Sequence, residues 1–202
     1  MPPRTVTVAE PSSQSDTRPL RPIAYPFHPV TTLLAFSGSL RAASFNSRVI
    51  RALPALAPEG VSIVQFDVTD LPFYNQDLDG ETVPEVVAAL RTAVAEADGV
   101  VIASPEYNHS YSAVTKNIID WASRPLMQGP ILGKKSMVIA VGPGPGGGRH
   151  CLEDLGKLLG LLGGTVVASV GAAKVHEKFA PDSDVITDDE LATDLSNGLA
   201  AF

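Results

Sequence analysis

The chain has 202 residues, 45% of them hydrophobic, with a single cysteine and a formal net charge of −7, and its pI is near 5.0. That size suits one compact domain with a full core. The acidity excludes nucleic acid or an anionic membrane as the main partner, since both need a basic face. No apolar run approaches the ~18 residues of a membrane span, and Cys151 alone allows no internal disulfide, which points to a reducing, cytoplasmic compartment.

Residues 1–30 hold seven of the 17 prolines, with Ser, Thr and Arg between them and no periodic apolar pattern. They read as a flexible extension preceding a folded domain over 31–202. From Thr31 the pattern alternates. Residues 32–37 form a short apolar strand, and 45–53 a helix with Phe45, Val49, Ala52 and Leu53 on one face. Pro54 is expected to end or distort that helix. Residues 61–67 are a second strand, followed by a loop rich in Asp, Asn and Pro over 70–81. A helix then starts at Thr82, with Glu85 at capping-box spacing and Val86, Leu90, Val94 and Ala97 inward.

Residues 99–104 are apolar throughout, as a strand covered on both faces requires. The loop Pro105-Glu106-Tyr107-Asn108-His109-Ser110-Tyr111-Ser112 leads into a helix over 113–122. Residues 135–141 are the fourth strand. A glycine-proline loop, 142–148, precedes a helix that carries Leu152, Leu155, Leu159 and Leu162. Residues 165–170 are the fifth strand. The last helix spans about 188–201, with Thr187 and Glu190 at capping-box spacing.

Strict alternation of five strands and five helices predicts an α/β three-layer sandwich around a five-stranded parallel sheet, joined by right-handed crossovers. Five strands favour the order 2-1-3-4-5. In that order strands one and three are neighbours whose connections leave in opposite directions, so a crevice opens at their carboxyl ends. Three unusual loops converge there: 37–47, 105–112 and 142–148.

The first of these loops is dense in donors. Ser39, Ser44 and Ser47 offer hydroxyls, Asn46 an amide and Arg41 a full charge, beside Leu40 and in front of a helix N-terminus. Such a terminus favours an anion, and a dianionic phosphate can accept many hydrogen bonds at once. The simpler alternative is that Ser44 or Asn46 only caps the helix. In the second loop Tyr107 and Tyr111 offer aromatic surface, and ordinary packing is the alternative for both.

The stretch Gly-Ser-Leu-Arg-Ala-Ala-Ser-Phe-Asn over 38–46, then Ser-Pro-Glu-Tyr-Asn over 104–108 and Gly-Gly-Gly-Arg over 146–149, resembles the NADPH-dependent FMN reductase family. That family has a flavodoxin-like fold and includes quinone, chromate and azo-dye reductases; the resemblance covers residues 31–170. It implies that Ser39, Arg41, Ser44 and Asn46, with Leu40 and Ser47 beside them, hold the phosphate of FMN. It implies too that Pro105, Glu106, Tyr107 and Asn108 wrap the isoalloxazine ring. In the third loop relatives carry a Ser or Thr before the glycines. Here Pro143 and Pro145 have no N–H to give, which leaves the amides of Gly142, Gly144, Gly146 and Gly147 for the ring. The implied activity is two-electron transfer from NADPH or NADH, through FMN, to a small-molecule acceptor in a homodimer or homotetramer. The flavin carries the chemistry, so no catalytic side chain is required. A non-enzymatic, flavodoxin-type electron carrier is the alternative.

Other readings fail on particular residues. Gly142, Gly144 and Gly147 spell a dinucleotide fingerprint, but after the fourth strand and with no acidic residue closing the next one. A receiver domain needs aspartates where Ser37 and Ser104 stand. No nucleophile elbow exists, and the adjacent His150 and Cys151 point apart on a helix and make no zinc site.

Overall fold

The computed structural model describes residues 30–202; the expected extension over 1–30, apart from Val30, lies outside the described residues. Five parallel strands form the central sheet: β1 (Thr31–Ser37), β2 (Val61–Gln65), β3 (Gly99–Ala103), β6 (Lys135–Val141) and β7 (Thr165–Ala172). Their order is β2-β1-β3-β6-β7, the expected 2-1-3-4-5 arrangement. Two further strands, β4 (Glu106–Tyr107) and β5 (Ser110–Tyr111), make a separate antiparallel hairpin. Five helices complete the fold: α1 (Phe45–Leu56), α2 (Glu85–Glu96), α3 (Ala113–Ala122), α4 (Arg149–Leu161) and α5 (Asp189–Ala200).

The period of two in a strand divides the core into two halves. Leu33, Ala35, Val101, Ala103, Met137 and Ile139 face α1 and α5. Leu34, Phe36, Val100, Ile102 and Val138 face α2, α3 and α4. All five residues of β3 are buried, which is why that segment reads as an unbroken apolar run. Trp121 is the largest fully buried side chain, and its indole N–H donates to the Pro72 carbonyl at 2.7 Å.

Several local details differ from the sequence-based expectation. Helix α1 runs through Pro54 to Leu56. The missing N–H falls in the last turn, where it interrupts little, and the ring is exposed. Helix α2 begins at Glu85 after Pro84, with no side-chain cap, so the Thr82–Glu85 box does not form. Pro84 takes the N-cap position itself, directly before Glu85, and displaces the expected cap two residues upstream. Val87 rather than Val86 is the buried residue of its first turn. At α5 the cap is Asp188, whose carboxylate accepts from Leu191 N–H at 2.9 Å, in place of Thr187.

The carboxyl ends of β1 and β3 are joined by a buried hydroxyl cluster. Thr115 donates to Ser104 Oγ at 2.8 Å, and Ser112 donates to the Gly38 carbonyl at 2.6 Å. Ser112 also caps α3 by accepting from Thr115 N–H. Gly38 has no room for a side chain, since a Cβ would overlap Thr115 Oγ1. This close packing sets the floor of the crevice.

Candidate functional site

At the carboxyl edge of the sheet lies a cavity of about 450 Å³, within the range of small-molecule and cofactor sites. Ser39, Arg41, Ser44 and Asn46 line one end, Pro105, Glu106 and Tyr107 another, and Gly142, Gly144, Gly146 and Gly147 a third side. The three loops therefore meet as expected from the strand order. Phe45, Val141, Pro143 and Gly148 also line the cavity. Leu40 and Ser47 do not; they face a neighbouring cleft shared with Ser39 and Arg41. Asn108 lies in the hairpin turn, outside the lining.

The donor-rich end is built by the start of α1. Ser44 is the N-cap, and its hydroxyl accepts from Ser47 N–H. The N–H groups of Phe45 and Asn46 have no helical acceptor, because the first turn of any helix leaves them over. Together with the dipole behind them they make this end of the cavity favourable to an anion. Arg41 is exposed and forms no ion pair with a described residue. Ser37 and Ser47 share a 2.7 Å hydrogen bond behind this rim, so Ser47 supports the loop from beneath.

Asn46 has a second task that its position in the sequence does not reveal. Its Nδ2 donates to the Val141 carbonyl at 3.2 Å, and its Oδ1 accepts from Val141 N–H at 3.3 Å. This buried amide ties α1 to the end of β6 and so fixes the distance between two walls. Asn46→Ala is expected to destabilise the cofactor-free protein by about 2 kcal/mol, because it leaves both backbone groups of Val141 unpaired. Urea unfolding should show a lower midpoint with an unchanged slope.

The hairpin β4–β5 carries Tyr107 into the cavity's mouth. Asn108 and His109 form its two-residue turn, both with positive φ (51° and 62°), the geometry that matches the strand twist. Tyr107 remains 55% exposed, so its ring is available to a planar ligand. Glu106 caps α4 across the cavity: its Oε2 accepts from the N–H groups of His150 and Cys151 at 3.0 and 3.2 Å. Burial alone pushes its carboxyl up, but these bonds and the His150 imidazole hold it below its ordinary value. The helix Glu106 serves is not α3, which follows it directly, but α4, 44 residues away. Cys151 is buried, and burial pushes its thiol up to about 11.

On the third side, Gly142 does not offer its amide as expected, because it donates to the Ala172 carbonyl at 3.1 Å. The loop is instead pinned to the segment after β7, where Val175 N–H donates to Gly142 and Lys174 N–H to Gly144. Gly147 and Gly148 adopt positive φ (59° and 76°) to turn the chain into α4. The prolines make this wall a rigid rim with few free donors.

A sequence profile of the family described as NADPH-dependent FMN reductase matches residues 31–177. The chain is 36% identical over 177 residues to a quinone reductase of Escherichia coli, covering 86% of this chain and 92% of that protein. It is 42% identical over 139 residues to an NADPH:quinone oxidoreductase of Arabidopsis thaliana, covering 66% of this chain and 70% of that protein. Among solved structures, the flavoenzyme NAD(P)H:(acceptor) oxidoreductase FerB of Paracoccus denitrificans superposes with a TM-score of 0.73 at 33% identity, over 85% of this chain and 94% of that one.

Proposed function

The chain belongs to the NADPH-dependent FMN reductase family, and on that premise we propose that it is an NAD(P)H-dependent FMN oxidoreductase serving a small-molecule acceptor of the quinone, azo, metal-oxyanion or free-flavin kind. One observation carries the reading: a single cavity has a cationic, hydroxyl-lined end and an aromatic, backbone-lined end. A phosphorylated isoalloxazine demands those two chemistries together.

The donor set fits the group. Ser39, Arg41, Ser44 and the open amides of α1 receive the phosphate, with Ser47 and Leu40 shaping the loop behind them. Pro105, Glu106 and Tyr107 shape the ring site, Asn108 acts only through the hairpin turn that carries Tyr107, and Gly144, Gly146 and Gly147 close the far side. FMN held there would supply two-electron chemistry between NAD(P)H and the acceptor, with the two using the site one after the other in a ping-pong scheme. The protein's own residues position and shield. Tyr107 would offer its exposed ring to the flavin, the α1 N-terminus and Arg41 would anchor the charged tail, and the open mouth would admit donor and acceptor in turn. Residues 31–202 form the cofactor-binding domain in this reading, preceded by the proline-rich extension.

Among the described residues no helix is long and apolar enough to cross a membrane. A cytoplasmic enzyme that reduces diffusible acceptors accords with that and with a lone buried thiol. Exposed Leu126 and Met127, in the loop that follows α3, support a homodimer or homotetramer. The test is anaerobic mixing of the FMN-loaded protein with NADPH, followed at the flavin absorbance band. Bleaching within seconds at micromolar NADPH is the expected result. Colour that persists with NADPH and NADH alike would rule out the reductase and leave an electron carrier.

A further inference from the structure

Two imidazoles and one carboxylate meet at the rim of the cavity, on elements that are far apart in sequence. His109 Nδ1 and His150 Nδ1 are 3.1 Å apart. Glu106 Oε1 lies 3.2 Å from His150 Nδ1 and 3.7 Å from His109 Nδ1. These three atoms outline a triangle, all within 4.8 Å of one another. A tetrahedral metal with ligands at about 2.0–2.1 Å spaces its donor atoms about 3.3–3.4 Å apart, which is the size of this triangle. We propose that Glu106, His109 and His150 form a site for a borderline divalent transition metal, zinc being the best match, that latches the β4–β5 hairpin to the start of α4.

Each ligand is held by something other than the metal. The Oε2 atom of Glu106 is fixed by two backbone N–H groups of α4, which turns Oε1 toward the imidazoles. His150 is set by the helix itself. His109 sits in the tight turn with φ 62°, and its ring stands edge-on to His150 with centroids 4.6 Å apart. A two-imidazole, one-carboxylate set prefers zinc, nickel or copper over magnesium or calcium, which seek oxygen. The α4 N-terminus opposes any cation, and Arg149 stands beside the site. The Glu106 charge and the covalency of nitrogen ligands offset that repulsion, and a hard ion gains little from the two nitrogens.

Arg149 sharpens the test. Its guanidinium is a donor only, and it lies 3.3 Å from His150 Nε2. In the metal-free protein Nε2 therefore accepts, and Nδ1 carries the proton that faces Glu106. Metal binding at Nδ1 moves the ring proton to Nε2 and releases Arg149. Removing that guanidinium should thus tighten the site.

Equilibrium dialysis of untagged, FMN-loaded protein against zinc chloride is the direct measurement, repeated without FMN. The expected result is one zinc per chain, unaffected by millimolar magnesium. His109→Asn, which tolerates positive φ, and His150→Gln should each weaken binding at least roughly tenfold. Arg149→Ala should strengthen it several-fold, and His176→Asn, outside the cluster, should change nothing. Melting curves in EDTA establish that the variants are folded. Zinc binding that survives both His109→Asn and His150→Gln, or no stoichiometric binding in the parent protein, overturns the site whether or not FMN binds.

Discussion

Replacing Ser39 and Arg41 together with alanine is expected to weaken FMN binding at least a hundredfold while leaving the fold intact. The magnitude follows from the contacts removed. A hydrogen bond to a charged group contributes about 1.5–3 kcal/mol, and each 1.4 kcal/mol is about tenfold in affinity. The fold is spared because neither side chain supports it. Arg41 is exposed and has no ion pair with a described residue. The Ser39 hydroxyl accepts one long bond, 3.4 Å, from the Arg41 backbone within the same loop. Unfolding of the cofactor-free variant should therefore match the parent within about 0.5 kcal/mol. Fluorescence quenching of free FMN measures the affinity. Salt gives an independent check: raising ionic strength should weaken binding to the parent more than to the variant, since an exposed guanidinium facing a dianion is screened. An affinity within about threefold of the parent would show that the anion sits elsewhere, and the assignment of the cavity would fail with it.

What the sequence discloses and what it hides divide along sequence separation. The five sheet strands were legible because burial on both faces leaves unbroken apolar runs, as at Gly99–Ala103. The order of strands followed from their number, and the order alone brought the three loops together. The cap at Ser44 was legible because a cap acts over three residues. Capping boxes at Thr82 and Thr187 were false signals, since Pro84 and Asp188 stood nearer the true helix starts. The β4–β5 hairpin was missed because its turn, Asn108-His109, lacks the glycine that usually marks one.

The site's bracing was hidden for a different reason. Asn46 reaches Val141 across 95 residues, and Glu106 reaches His150 across 44. No local pattern encodes such pairings; the fold must exist before the side chains can meet. Asn46 was thus assigned to the ligand from its neighbourhood in the loop, whereas its amide is engaged with the backbone of β6. The cluster of Glu106, His109 and His150 was invisible for the same reason.

Gly148→Ala is expected to destabilise the protein by about 3 kcal/mol, and Gly156→Ala, eight residues on, to stabilise it by about 0.5–1 kcal/mol. The substitution is chemically identical, and position decides its sign. Gly148 caps α4 with φ 76°, a conformation that costs any residue with a Cβ about 1 kcal/mol. Its Cβ would also overlap that of Ala140 on β6 and lie 2.9 Å from the Ala140 carbonyl oxygen. Both atoms belong to a buried central strand that cannot yield. Gly156 lies within α4 with no atom near its added methyl, so alanine there relieves only backbone entropy. For a domain of this size the first change should lower Tm by about 10 °C. It should also weaken FMN binding, because moving the start of α4 pulls His150 and Cys151 away from Glu106 and displaces a wall of the cavity. The second change should leave FMN binding alone. Equal thermal effects from the two variants would mean that the turn into α4 is not held against β6 as described, and that the cavity's third wall is free to move.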